Sequence, residues 1–199
     1  MKITSEWLKE KGACQDGCCW FKDNFKDEGD YQEVLDALAK INKADWASWL
    51  IEKAGRLDTE LKIDGDLEVK ESIFFAGRVI VKGKIGIGFY LIAGSGIEAG
   101  WGIKAGSGIE AGWGIKAGWG IEAGEGIKAG SGIEAGSGIE AGWGIKAGLY
   151  IICKLTLSSK LRIFAGLCIW KIPSEEEKTI TCKKLVQGEV AYGILKELK

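Results

Sequence analysis

The chain contains no histidine and one proline, Pro173. Without an imidazole, Ser-His-Asp and Cys-His nucleophiles, a histidine general base and most zinc sites are excluded. A Lys or Glu base has no residue that marks it, so a non-catalytic protein is expected. No apolar run approaches the roughly 18 residues of a membrane span. The start, Met1 to Trp7, has neither an apolar h-region nor a small-residue cleavage site, so the cytoplasm is the expected location and no membrane partner is expected. An excess of one charge is also missing, with 27 basic against 28 acidic residues. That balance argues against strong non-specific nucleic-acid binding and against a DNA mimic.

The six cysteines, Cys14, Cys18, Cys19, Cys153, Cys168 and Cys182, lack Cys-x-x-Cys spacing. They read as thiols used for buried packing. Cys14 and Cys18 share a helix face, but Cys19 points elsewhere and no fourth ligand is evident, so neither metal nor cofactor is expected.

Residues 1–56 carry helical signals. Thr4 or Ser5 caps a first helix that Gly12 stops. Cys14, Cys18, Phe21 and Phe25 then repeat at three- and four-residue steps, which predicts one buried face. Asp30 and Glu33 have capping-box spacing ahead of Val34, Leu35, Leu38 and Ile41, and a last helix carries Trp46, Trp49 and Leu50 up to Gly55.

From about Thr59 the period changes. Leu61/Ile63, Leu67/Val69, Ile73/Phe75, Val79/Val81 and Ile85/Ile87 are apolar pairs two apart that recur every six residues. Residues 95–148 are nine consecutive x-Gly-Ile-x-Ala-Gly hexads with Ile97 through Ile145 in register. Short strands joined by glycine-permitted corners follow, with the isoleucines stacked inward. The pattern persists more loosely to Gly166. Pro173 and Ser174–Glu177 form an exposed connector, and Thr179–Leu185 and Glu189–Leu195 read as two final strands, a hairpin or an edge cap.

The charged hexad position gives a test of coil size. It reads Glu98, Lys104, Glu110, Lys116, Glu122, Lys128, Glu134, Glu140, Lys146. Three hexads per coil give four opposite vertical pairs in six, the exceptions being Glu122/Glu140 and Lys128/Lys146. Four hexads give two in five, and two hexads give two in seven. Because like charges avoid stacking, a three-sided coil of about 18 residues is expected, with either hand open.

Through the Ile-x-Ala-Gly-x-Gly hexads the chain resembles the hexapeptide-repeat and polymer-forming parallel β-helix proteins over residues 60–166. Many hexapeptide-repeat proteins are acyltransferases with a histidine base, which this chain lacks. It also departs in placing Trp101, Trp113, Trp119 and Trp143 two residues before the aliphatic one, where a small residue is usual. The N-terminal Ala-Cys-x-x-Gly-x-x-Trp-Phe and Asp-Trp-Ala-Ser-Trp-Leu segments look loosely like modules of uncharacterised phage and prophage-associated proteins.

The expectation is therefore a mainly β protein: an α-helical module over 1–56, a parallel three-sided β-helix over 59–171, and C-terminal strands or a cap over 172–199. Gly-x-Gly here never leads from strand to helix, which excludes a phosphate loop. Threonine is absent from the nine hexads, which excludes an ice-binding array. The candidate binding residues are Trp101, Trp113, Trp119 and Trp143 on the coil corners, either outward as a surface or inward as packing, and Trp7, Trp20, Trp46 and Trp49 in the helical module. The leading expectation is a protein that binds a protein or protein complex, with steric inhibition of a host defence complex as its narrower form. The alternatives are a self-assembling scaffold, hence a homo-oligomer, and a protein that sequesters a small ligand in cavities at the lobe junction.

Overall fold

The computed structural model describes residues 1–199. The helical module contains α1 (Ser5–Glu10), α2 (Gln15–Phe25), α3 (Tyr31–Lys40) and α4 (Ala44–Ala54). Two strands that the sequence reading missed, β1 (Lys2–Thr4) and β2 (Glu28–Asp30), pair antiparallel and join the ends of the first helical pair. The caps follow from local chemistry. The Thr4 hydroxyl accepts from Trp7 N at 3.1 Å, and Asp30 Oδ1 accepts from Gln32 N at 3.0 Å, so only the aspartate half of the anticipated capping box forms. α2 corrects the expectation of a single buried face through Cys14. That residue lies exposed at the N-cap, its sulfur accepting from Gly17 N, while Phe21 carries the burial. Cys19 is exposed as well, so buried packing describes only Cys153 and Cys182, with Cys18 and Cys168 intermediate.

The coils begin with β3 (Glu60–Ile63), β4 (Leu67–Val69) and β5 (Ile73–Phe75), which start three faces designated I, II and III. Strands β6 (Arg78–Val81) through β18 (Ile151–Cys153) continue these faces in rotation, one hexad per side. Every coil-to-coil pairing is parallel, and the register is 18 residues: Ile103 lies beside Ile121, Ile109 beside Ile127 and Ile115 beside Ile133. The result is a parallel β-solenoid of about eight turns. Its core is the stack of inward Ile and Ala residues from the three faces. Burying an isoleucine side chain stabilises by about 1.5–3 kcal/mol, and the column repeats that gain in every coil.

The hexad glycines serve close packing rather than unusual dihedrals. None in the regular hexads has positive φ; the coil-region glycines that do are Gly166, Gly188 and Gly193, near the C-terminal end. A Cβ on Gly118 would meet Gly100 O at 2.0 Å, and the same clash recurs from Gly94 to Gly148, so the coil spacing requires a hydrogen at each Ala-Gly corner.

The C-terminal strands do not form a hairpin. β19 (Thr156–Phe164) runs continuously around one corner, pairing with face II through Leu157 and face III through Ile163. β20 (Thr179–Cys182), β21 (Lys184–Tyr192) and β22 (Ile194–Glu197) then add to β18, β19 and β20 in parallel. They cap the stack by resuming it, with register shifts along β21. The connector carrying Pro173 lies between β19 and β20.

A second, smaller core lies inside the helical module, and the coils contribute Phe74, Ala76 and Ile92 to it. Phe74 and Ile92 occupy the outward hexad position that carries Glu or Lys in the regular units, and they seat the helices on face III. No helix is long and apolar enough to cross a membrane.

Candidate binding surface

The residue between paired glycines lies on a coil corner, and its side chain points outward. Trp101, Trp113, Trp119 and Trp143 are 53–61% exposed, which decides between the two orientations the sequence left open. Backbone bonds stack these corners vertically: Trp119 N donates to Trp101 O, Trp113 N to Ser95 O and Trp143 N to Glu125 O. Each tryptophan therefore has a defined edge. Trp101 and Trp119 share the I/II edge, ring centroids 5.8 Å apart and planes within 8°. Trp143 stands alone on the II/III edge. Trp113 lies on the III/I edge, where the Arg56 guanidinium sits 4.4 Å from its ring centroid.

The III/I edge also receives α4. The Ser48 hydroxyl donates to Glu110 Oε2 at 2.9 Å, fixing the helix against face III. Farther along the same edge the connector begins: Gly166 N donates to Leu149 O at 2.7 Å and Cys168 N to Gly148 O at 2.8 Å. Beyond these anchors the chain swings out. Ile169 is 99% exposed and Ile172 96%, with Trp170 between them. Between α4 and this loop runs a groove of about 730 Å³. Its walls include Trp49, Arg56 and Trp113 at one end and Ile169 and Trp170 at the other, and Gly112 and Gly130 lie along its length. Lys128 and Lys146 flank it from face III; Lys128 is paired with Glu110 at 2.5 Å, and its vertical neighbour Lys146 has no ion-pair partner.

The structure thus gathers some of the sequence-selected tryptophans and separates others. Trp49 and Trp113 meet in the groove. Trp20, Trp46 and Trp49 line a pocket inside the helical module, with Trp20 6.0 Å from Trp46 and Trp7 6.5 Å from Trp49 in edge-to-face contacts. Trp101, Trp119 and Trp143 lie on the other two edges. Sequence reasoning missed Ile169, Trp170 and Ile172. Their signal was an Ile-Trp-Lys-Ile-Pro run without hexad glycines, in a stretch read as the fading end of the repeat.

Two tyrosines pin the charged faces. Tyr150 donates to Glu134 at 2.7 Å, and this bond to a carboxylate, together with burial, pushes its hydroxyl up to about 12. Burial and a bond to Glu125 also raise Tyr90. Burial pushes the Cys153 thiol up to about 12, with neighbouring Cys182 adding to the shift. Protonated and buried, Cys153 is an inert packing group rather than a nucleophile.

Residues 1–57 match the model of the YdhT N-terminal domain. The match ends just before β3, so it covers the helical module and leaves the coils outside it. Among curated proteins and among solved structures, no chain matches this one.

Proposed function

We propose that the chain is a non-catalytic interaction protein that grips a protein partner along the III/I edge. The observation that carries this reading is the convergence of Trp49, Arg56-backed Trp113 and the exposed Ile169-Trp170 loop on one groove. Isolated exposed apolar residues are ordinary, but aromatic and aliphatic anchors clustered beside unpaired charge mark binding surfaces. The solenoid supplies rigidity, and the absence of histidine supports a role without acid–base chemistry.

The test is site-specific photo-crosslinking from position 170 in cells, combined with purification of the tagged chain. One partner should crosslink there, and Trp170→Ala or Trp113→Ala should reduce its recovery at least about tenfold, the scale of a hot-spot residue. Equal recovery by these variants, or the absence of a stoichiometric partner, would sink the reading. Its narrower form is a phage-encoded inhibitor that blocks a host defence complex sterically. That form requires the crosslinked partner to be a component of such a complex.

The edge strand β22 favours a second reading, self-assembly. Leu185, Val190 and Leu195 lie in the last coil and are incompletely buried, and β22 has an unpaired edge. Exposed edges of this kind invite pairing with another copy. Light scattering at increasing concentration separates the readings, because a strict monomer is incompatible with the scaffold.

A further inference from the structure

The helical module contains a cavity away from the III/I loop. It is an open pocket of about 370 Å³ between the helices, with Val34, Leu38 and Leu50 buried at its base and the indoles of Trp20, Trp46 and Trp49 around it. That volume falls within the roughly 300–1,000 Å³ range of small-molecule sites. Its polarity is one-sided. Asp45, in the first turn of α4, is the only charged residue among those lining it, and no Lys or Arg does so. The protein already places a cation on one of these rings, since Lys43 Nζ sits 4.7 Å from the Trp46 centroid.

We propose that this pocket binds a small organic molecule with an apolar body and a single positive charge, its cation held against the indoles and paired with Asp45. The sign of the charge follows from the lining. Indole faces are the negative pole of the ring quadrupole and attract ammonium groups. A neutral apolar guest gains nothing from Asp45 or from the ring quadrupoles, and an anionic guest would meet a like charge, the nearby Lys43 being already engaged on Trp46. A monocation satisfies the carboxylate and the rings together. The pocket shares Asp45 and Trp49 with the groove, but Trp20 lines only the pocket and Trp170 only the groove, so variants at those two positions separate the two readings.

Three probes with the same hydrocarbon chain and different charge test it. Hexyltrimethylammonium, hexanol and hexanoate are titrated into the full chain by calorimetry at neutral pH. The cation should bind about tenfold or more tighter than the alcohol, as expected for a desolvated cation–indole contact, and hexanoate should show no binding. Asp45→Asn should remove most of the difference between cation and alcohol while leaving the alcohol unchanged. Trp20→Leu, which keeps apolar area but removes an indole, should weaken the cation more than the alcohol. Lys43→Gln should tighten the cation by releasing the Trp46 ring from its internal competitor. Trp170→Ala should change none of these affinities. Equal binding of alcohol and cation, preference for hexanoate, no binding of any probe, or indifference of cation affinity to Asp45→Asn would each overturn the proposal. Asp45 is exposed and makes no bond that the fold requires, so that variant tests recognition and not folding.

Discussion

Gln32 closes the open edge of the first coil by bonding to Phe74. Its Nε2 donates to Phe74 O at 2.8 Å, while Oε1 of the same amide accepts from Ala76 N at 3.0 Å. A side-chain amide thereby presents one donor and one acceptor where a preceding strand would present its peptide group. Solenoid ends need such protection, because unpaired edge groups recruit other strands. The helical module is therefore also the N-terminal cap of face III.

Gln32→Leu keeps the bulk of the side chain and removes both bonds, leaving Phe74 O and Ala76 N without partners. Chemical denaturation should show a loss of about 1–3 kcal/mol, the cost of orphaned buried polar groups. A stability within a few tenths of the parent chain would mean that water replaces the amide.

The two glycines of each hexad should respond differently to alanine. Gly118→Ala drives a methyl group into Gly100 O, whereas Gly120→Ala meets Gly138 O at 3.3 Å, a contact a small shift relieves. The first should cost at least the upper part of the ~1–3 kcal/mol range for overpacking, and the second its lower part or less. Thermal melts of the two variants read the contrast directly, and equal costs would contradict the stacking geometry.

Ile121→Ala opens a void in the middle of a closed aliphatic column. Its neighbours Ile103 and Ile139 are held by their own coils and cannot collapse into it. A cost of about 2–5 kcal/mol is expected, measured by urea unfolding, against little change for Trp119→Ala on the exposed edge.

Charge order offers a gentler test. Glu122 stacks on Glu140 while already paired with Lys104 at 2.7 Å. Glu140→Lys converts the like pair to an opposite one and should stabilise by about 0.2–1 kcal/mol at low salt, an increment that high salt removes. Destabilisation at low salt would show that the Glu122/Glu140 pair is held apart by something other than its own repulsion.

Alkali should unfold the chain before acid–base chemistry at its surface would suggest. Cys153 is raised from an ordinary 9.0 to about 12 and Tyr150 from 10.0 to about 12, and burial also raises Tyr31. In each case the fold holds the protonated form, so the contribution is complete below the unfolded value and disappears as pH climbs through the folded one. The urea midpoint should therefore stay level up to about pH 9 and fall between 9 and 12, and Cys153→Ala should flatten the first part of that fall.

The coil could be read from the sequence because its determinants are local and repeated: Ile every sixth residue, a glycine at each tight corner, and a charge order that three hexads per coil satisfy better than two or four. The structure sets Lys116 between Glu98 and Glu134 as that order required. Where the repeat fades, the signal becomes non-local. Of the hairpin and the edge cap expected after Pro173 the cap is what forms, because the partner each strand chooses lies a full coil earlier rather than next to it in sequence. The groove was hidden for the same reason: Trp49, Trp113 and Trp170 are distant in the chain and meet only on a shared edge. One signal was present and went unused. Phe74 and Ile92 break the outward polar position, and they mark the face on which the helices sit.

A solenoid with three hexads per coil is also a ruler with fixed graduations. Loss or gain of three hexads would shift the Ile169-Trp170 loop along the axis by one strand spacing, about 4.8 Å, and leave it on the edge that α4 occupies. Loss or gain of one hexad would instead carry the loop a third of the way around the prism, onto an edge with no helix facing it. The span between helix and loop can therefore change only in whole coils if both are to stay on one edge. A partner that bridges the two ends would tolerate some of these lengths and reject every intermediate one.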